Sequence, residues 1–244
     1  MQLSVLTVTH NTLPTLKDAY ASLCSQTFSD WEWVVQDGGS NDGTVRWLES
    51  LSDPRISWVS EKDQGIYYAL NKAIERASGS WIGLLHADDL YVSSQVLERV
   101  LQVAEGNDAV YGDLQYVHAK DTTRVLRYWK SGDFKIRKLK QGWMPPHPTL
   151  FLSKEMYSVL GYFDTQFKIA ADYDFILRVF SKHDIQVKYL PEVFVLMRQG
   201  GKSSRWQNLF QKSHEDFLVL RKNGYSIPFI IILRKITRKF KQFF

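Results

Sequence analysis

The stretch Trp81-Ile82-Gly83-Leu84-Leu85-His86-Ala87-Asp88-Asp89 decides the fold. An unbroken apolar run of this kind reads as a strand buried on both faces. Such strands end at the rim of a parallel sheet, where α/β proteins take their ligands. Two consecutive carboxylates repel each other, so a folded site there needs a cation or a hydrogen-bonding ligand. A divalent metal carrying phosphate oxygens meets that need. Taken alone, the pair reads more readily as a solvated acidic turn capping the next helix. The segments around it shift the balance.

Upstream, strand and helix signals alternate. Strands are expected at Leu3–Thr9, Trp33–Gln36 and Ile56–Val59, and at Trp81–His86 itself. Helices are expected at Leu13–Ser25, Thr44–Leu51, Gln64–Ala77 and Ser94–Ala104, the third with apolar residues at a helical period. Residues 1–105 therefore predict a mostly parallel central sheet flanked by helices. Thr9, Asp37, Asp63, Asp88 and Asp89 fall at one rim of it. Residues 106–223 are less regular. Strands are expected at Val110–Val117 and Thr123–Tyr128, near Thr149–Leu152, near Val187–Tyr189 and at Val193–Met197. Helices are expected at Asp172–Lys182 and Ser204–Lys222.

The 244 residues suffice for one large domain, and 14% aromatic residues supply core as well as flat faces suited to sugars or bases. A single cysteine, Cys24, excludes an intrachain disulfide and fits a reducing cytosol. Met1 leads straight into an apolar segment too short for a signal peptide. The net charge of +5 is uneven: seven Lys and Arg follow Asp216 and no acid does. The body is thus nearly neutral, unlike a DNA-binding face, and no nucleic-acid partner is expected.

Three more segments carry polar chemistry. Asp37-Gly38-Gly39-Ser40-Asn41-Asp42-Gly43 is glycine-rich, so its backbone can approach a ligand closely. In Asp63-Gln64-Gly65-Ile66-Tyr67-Tyr68-Ala69-Leu70-Asn71-Lys72, Gly65 opens a helix whose N–H groups can face an anion. In Ala171-Asp172-Tyr173-Asp174, Asp172 is either a helix cap or a general base. His147 lies in the stiff loop Pro145-Pro146-His147-Pro148.

Together with Val5-Leu6-Thr7-Val8-Thr9, Asn11, Ala87-Asp88-Asp89 and His147-Pro148-Thr149-Leu150-Phe151, these segments resemble the glycosyltransferase family 2 proteins of GT-A fold over residues 1–200. The Asp-Gly-Gly-Ser and Gly-Ile-Tyr forms are most similar to the subgroup building bacterial O-antigen and exopolysaccharide. The resemblance implies that Thr9, Asp37 and Asp63 hold the nucleotide base and ribose, with Asn11, Gly39, Gly65, Asn71 and Lys72 completing the donor site. Asp88 would contact the ribose or sugar, and Asp89 would bind Mg2+ or Mn2+ on the diphosphate. Asp172 would deprotonate the acceptor hydroxyl in one inverting displacement. His147, Asp174, Lys202 and Arg205 are possible acceptor or loop contacts. Two departures weaken the match: no third Asp follows Asp88-Asp89, and Ala170-Ala171 stands where many relatives carry an acid.

The resemblance implies a UDP-hexose donor and a saccharide acceptor, lipid-linked at the cytoplasmic face of the membrane. Lys202-Ser203-Ser204-Arg205-Trp206 departs from the Gln-x-x-Arg-Trp of processive members, so single-sugar addition is expected. The expected division is a transferase domain at 1–223, with 1–105 its nucleotide half and 106–223 its acceptor half, followed by a basic amphipathic helix at 224–244. That helix suits the surface of an anionic membrane, making the protein peripheral there. The competing readings are an inactive GT-A-like nucleotide- or sugar-binding subunit and a sugar-phosphate nucleotidyltransferase. The latter would want a basic, glycine-rich loop after the first strand, which Thr9-His10-Asn11-Thr12 lacks.

Overall fold

The computed structural model describes residues 2–182, 184–200 and 209–240. Its first half runs β1 (Leu3–Thr9), α1 (Leu13–Cys24), β2 (Trp31–Asp37), α2 (Thr44–Glu49), β3 (Ile56–Ser60), α3 (Ile66–Arg76), β4 (Trp81–Leu84), β5 (Asp89–Tyr91) and α4 (Val96–Gln102). There follow β6 (Ala109–Val117), β7 (Val125–Trp129), β8 (Leu150–Ser153), α5 (Lys154–Leu160), α6 (Ala171–Ser181), β9 (Val187–Arg198), α7 (Leu209–Lys222) and α8 (Pro228–Phe240). Short 3-10 turns occupy Ile136–Gln141 and His147–Thr149.

One sheet carries all the described strands in the order β3-β2-β1-β4-β8-β6-β9-β5, with β7 beside β6. β1 pairs in parallel with β2 and β4, and β2 with β3. β8 is antiparallel to both β4 and β6, which lets the sheet continue past residue 105 into the second half. The parallel register sets Thr9 beside Asp37 and Asp37 beside Ser60, so the polar residues after β1, β2 and β4 share one rim.

Alternation along β1 divides the core. Leu3 and Val5 face α1, α2 and α4, whereas Leu6 joins the larger core under α3, α5, α6, α7 and α8. Each buried Leu, Val or Phe contributes roughly 1.5–3 kcal/mol. Gly83 in β4 is required for space, because the Phe151 ring of β8 occupies the position its Cβ would take.

The structure corrects several expectations. The two strands foreseen after residue 186 are one continuous β9, whose pairing with β6 absorbs register shifts near Asp113. β4 stops at Leu84. Asp89 opens the short edge strand β5, which the sequence hid inside a turn. The helix begun at Ser204 is described only from Leu209, and Lys202 and Arg205 lie outside the described residues.

The basic C-terminal segment packs on the body over one face. Pro228, Ile231 and Lys235 are buried, and Ile232 is half-buried, in a helical stripe. Phe229, Leu233 and Ile236 point outward, with Phe229 77% exposed.

Candidate active site

The glycine-rich loop is held from below by Asp37. This wholly buried carboxylate accepts hydrogen bonds from the Gly39 and Ser40 N–H groups and from the Ser40 and Ser60 hydroxyls. Both of its oxygens thus brace the loop. The Gly39 N–H is spent in the same network. Asn11, in the left-handed region at φ 53, accepts from the Asn41 N–H, and its own N–H donates to Ser40. It too braces the loop.

Gly38 is buried beneath two side chains. A Cβ there would stand 2.7 Å from Asp63 Oδ2 and 3.2 Å from His10 Nδ1, so both side chains close over a bare backbone. Asp63 Oδ1 accepts from the Gly65 N–H, which fixes the turn into α3 and uses the amide expected to face an anion. Thr9 bonds Thr12. Asn71 clamps the backbone of Phe163 in both directions, and Lys72 pairs with Glu61 at 2.7 Å. These two expected donor contacts are engaged elsewhere, since a helix period places both facing neighbouring segments.

A second cluster lies past the end of β4. His86 Nε2 is 2.8 Å from His147 Nε2, and His147 Nδ1 is 3.3 Å from Asp172 Oδ2. Burial pushes the His147 imidazole down to about 4 against the pull of Asp172, and it lowers His86 as well. At neutral pH the Asp172 contact is thus made by an uncharged ring. A carboxylate neighbour favours the tautomer protonated on Nδ1, leaving Nε2 to accept from His86. Asp172, at the start of α6, also accepts from the Tyr173 N–H. The Tyr67 phenol donates to the Ile169 carbonyl and lies 3.4 Å from Asp172. Burial and the Asp172 charge hold that phenol well above its usual range, so it stays protonated. Asp172 is thereby a partly exposed carboxylate whose direction is set by His147. Sequence reasoning found His147 but missed His86, Tyr67 and His10, which carry no local signal.

Burial raises the Tyr116 phenol above its usual range, and the charges of Asp89 and Asp172 add to the rise. The Arg127 guanidinium stacks on its ring at 3.9 Å. Asp88 is half-buried, and Arg198 donates to its carbonyl at 3.2 Å while pairing with Asp18. Asp89 lies beneath, fully buried, with neither carboxylate oxygen hydrogen-bonded. Burial and the adjacent Asp88 raise its carboxyl well above the usual range, opposed by Arg198. Of the pair expected to touch the sugar and the metal, Asp88 is the more accessible and Asp89 the buried member. Among the described residues no three His, Cys, Asp or Glu side chains converge on a cation site. A buried carboxylate with orphaned oxygens needs either a proton or a cation. The pair therefore fits a metal held largely by ligand oxygens.

Asp174 is held in an ion-pair network inside the fold. It is wholly buried, accepting from Arg178 and Asn223 at 2.9 Å and pairing with Lys222 at 3.3 Å, which locks α6 to α7. On a helix it faces away from Asp172.

Comparison with known proteins places the chain in a family and a fold. The family model of glycosyl transferase family 2 matches residues 4–158. A PGL/p-HBAD biosynthesis glycosyltransferase of Mycobacterium bovis is 28% identical over 205 residues, spanning 81% of this chain and 77% of the relative. The Escherichia coli UDP-Glc:alpha-D-GlcNAc-diphosphoundecaprenol beta-1,3-glucosyltransferase WfgD is 27% identical over 117 residues, 47% of this chain and 46% of WfgD. Among solved structures, S. aureus TarS 1-349 in complex with UDP-GlcNAc superposes with a TM-score of 0.73 at 16% identity, over 99% of this chain and 73% of TarS. The mannosyltransferase PcManGT of Pyrobaculum calidifontis, in complex with GDP-Man and Mn2+, gives 0.66 at 19% identity, over 96% and 69%. Both share the fold.

Proposed function

The chain belongs to glycosyl transferase family 2, and from that membership we propose that it moves one sugar from a UDP-linked donor, a UDP-hexose, to a saccharide acceptor with inversion. The observation that carries this reading is the held carboxylate of Asp172, partly exposed and 3.3 Å from the His147 ring. UDP-GlcNAc in TarS and UDP-Glc in the name of WfgD support the donor class.

In the proposed reaction the acceptor hydroxyl oxygen attacks the anomeric carbon while its proton passes to Asp172. The bond between that carbon and the diphosphate oxygen breaks, and UDP leaves with the electron pair. His147 keeps Asp172 aimed and adds no charge, since its ring stays neutral. The uridine is assigned to the rim at Asp63 and His10, the two side chains that cover Gly38. Mg2+ or Mn2+ would be held by Asp88 and Asp89, where it would offset the negative charge gathering on the diphosphate.

The acceptor in this reading is a lipid-linked saccharide in the synthesis of a bacterial surface polysaccharide; the name of WfgD gives that relative a GlcNAc-diphosphoundecaprenol acceptor. Docking would be peripheral, at the cytoplasmic face of the membrane, through the outward apolar residues of α8 beside Arg234. No helix among the described residues is long and apolar enough to cross a membrane.

A UDP-sugar panel with Mn2+ tests the reading. One donor should raise the Tm, and its turnover should fall about 10²–10⁴-fold in Asp172→Asn while the Tm rise persists. Full turnover in that variant, or no response to any UDP-sugar, overturns it.

A further inference from the structure

On the acceptor side of the fold, a cavity of about 430 Å3 opens between the segment from Tyr128 to Met144 and α8. Its walls are rigidly built. Asp113, wholly buried in β6, accepts from the Ser131 N–H and from the Tyr128 and Tyr189 phenols. The Trp143 indole N–H donates to the Ser131 carbonyl, tying the two sides of the segment together. Gly142, at φ +72, lies so close to α8 that a Cβ would stand 2.7 Å from the Lys235 amide nitrogen.

Lys130, Lys138, Lys235 and Arg238 all line this space. Only some of that charge is answered by the protein. Lys235 pairs with Asp216 at 2.9 Å and lies 3.4 Å over the Tyr173 ring. Lys138 donates to the Asp133 carbonyl, but burial and the neighbouring Arg238, Lys135 and Arg137 push its ammonium down, against the pull of Asp133. Half-buried Arg238 has no hydrogen-bond or ion-pair partner among the described residues, and burial weakens its hold on its proton. Lys138 and Arg238 repel each other across the cavity, opposed only in part by Asp133, and a bound anion would stabilise the pair. A guanidinium and an ammonium together suit phosphate oxygens.

Lys235 links the cavity wall to α6. The Tyr173 ring under Lys235 follows Asp172 in α6, and Lys235 senses the Asp172 charge. On its outer side stands the exposed apolar face of α8. We infer that this cavity, through Arg238 and Lys138, binds the phosphate or diphosphate group of the acceptor, holding the acceptor saccharide toward Asp172. The inference rests on the transferase reading above and names the chemistry of its second substrate.

The probe is inorganic pyrophosphate, titrated calorimetrically into the intact protein in excess UDP, so that the donor diphosphate site is already filled. Binding is expected, and Arg238→Gln and Lys138→Gln should each weaken it about ten- to hundredfold. The two residues lie on separate elements, so a common loss with unchanged Tm cannot come from one misfolded segment. A second arm measures binding to phosphatidylglycerol vesicles with and without a polyprenyl diphosphate, at equal total charge. Added retention by the diphosphate, lost in Arg238→Gln, identifies a lipid-borne anion. Pyrophosphate binding with no such gain identifies a soluble phosphorylated acceptor. Failure of pyrophosphate to bind, or affinity untouched by both substitutions, overturns the site. UDP-sugar hydrolysis without acceptor is followed in parallel: its persistence leaves the transferase reading standing, and its absence in the wild-type protein removes that reading instead.

Discussion

His86 and His147 meet nitrogen to nitrogen at 2.8 Å, one from the end of β4 and the other from the proline-rich loop before β8. The contact joins the first half of the chain to the second beside Asp172, in the first turn of α6. It also has energetic consequences, because two buried imidazoles cannot both be protonated at low cost.

Acid should expose that cost. His147 titrates at about 4 in the folded protein against 6.5 for an ordinary histidine. Above pH 6.5 both folded and unfolded states hold a neutral ring and no difference arises. As pH falls from 6.5 toward 4 the unfolded state takes the proton first, and stability drops by up to about 3 kcal/mol. Urea unfolding of His147→Gln from pH 7 to pH 4 should show a shallower loss than the wild type. Parallel curves would remove His147 as the titrating group.

Asp89→Asn separates burial from metal binding. Removing an unpaired buried carboxylate should leave the Tm in chelator unchanged or raised. The same substitution should abolish the Mn2+-dependent Tm rise expected in the presence of UDP. A large loss of Tm in chelator would mean that Asp89 has a stabilising partner.

Asp37 and Asp63 stand at the same rim and should behave in opposite ways. Asp37→Ala strands two N–H groups and two hydroxyls, at a cost of at least about 3 kcal/mol. Asp63→Ala should leave stability nearly intact and weaken UDP binding instead. Thermal unfolding with and without UDP checks both, and equal stability losses would dissolve the distinction.

Asp174→Ala leaves Arg178 and Lys222 beside an empty buried position, and a loss of about 3 kcal/mol is expected. Activity per folded molecule at low temperature should be unchanged. A selective fall in turnover would return Asp174 to the acceptor site.

Gly142→Val should unseat α8, since the positive φ and the Lys235 backbone both exclude a side chain. Faster proteolysis within residues 224–240, with the sheet still folded, is the expected outcome. An unaltered digestion pattern would show that α8 is held by its other contacts alone.

The sequence by itself determined the alternation of strand and helix, the parallel first half of the sheet and the rim where its polar residues gather. These follow from periodicity and burial, which act over a few residues and leave a local signature. It also marked Asp172 and His147 as site candidates. Only the tertiary structure decided which carboxylates are available. Asp37, Asp174 and Asp89 look no different in the chain from Asp63, Asp172 and Asp88. Their roles divide according to donors that arrive from distant segments: Ser60 on Asp37, Asn223 on Asp174, and no donor on Asp89. The same holds for His86, whose partner lies 61 residues away, and for Lys235, whose charge turns inward to Asp216. A side chain's type is written in the chain, but its protonation and its freedom to meet a ligand depend on the desolvation and hydrogen bonds that packing imposes.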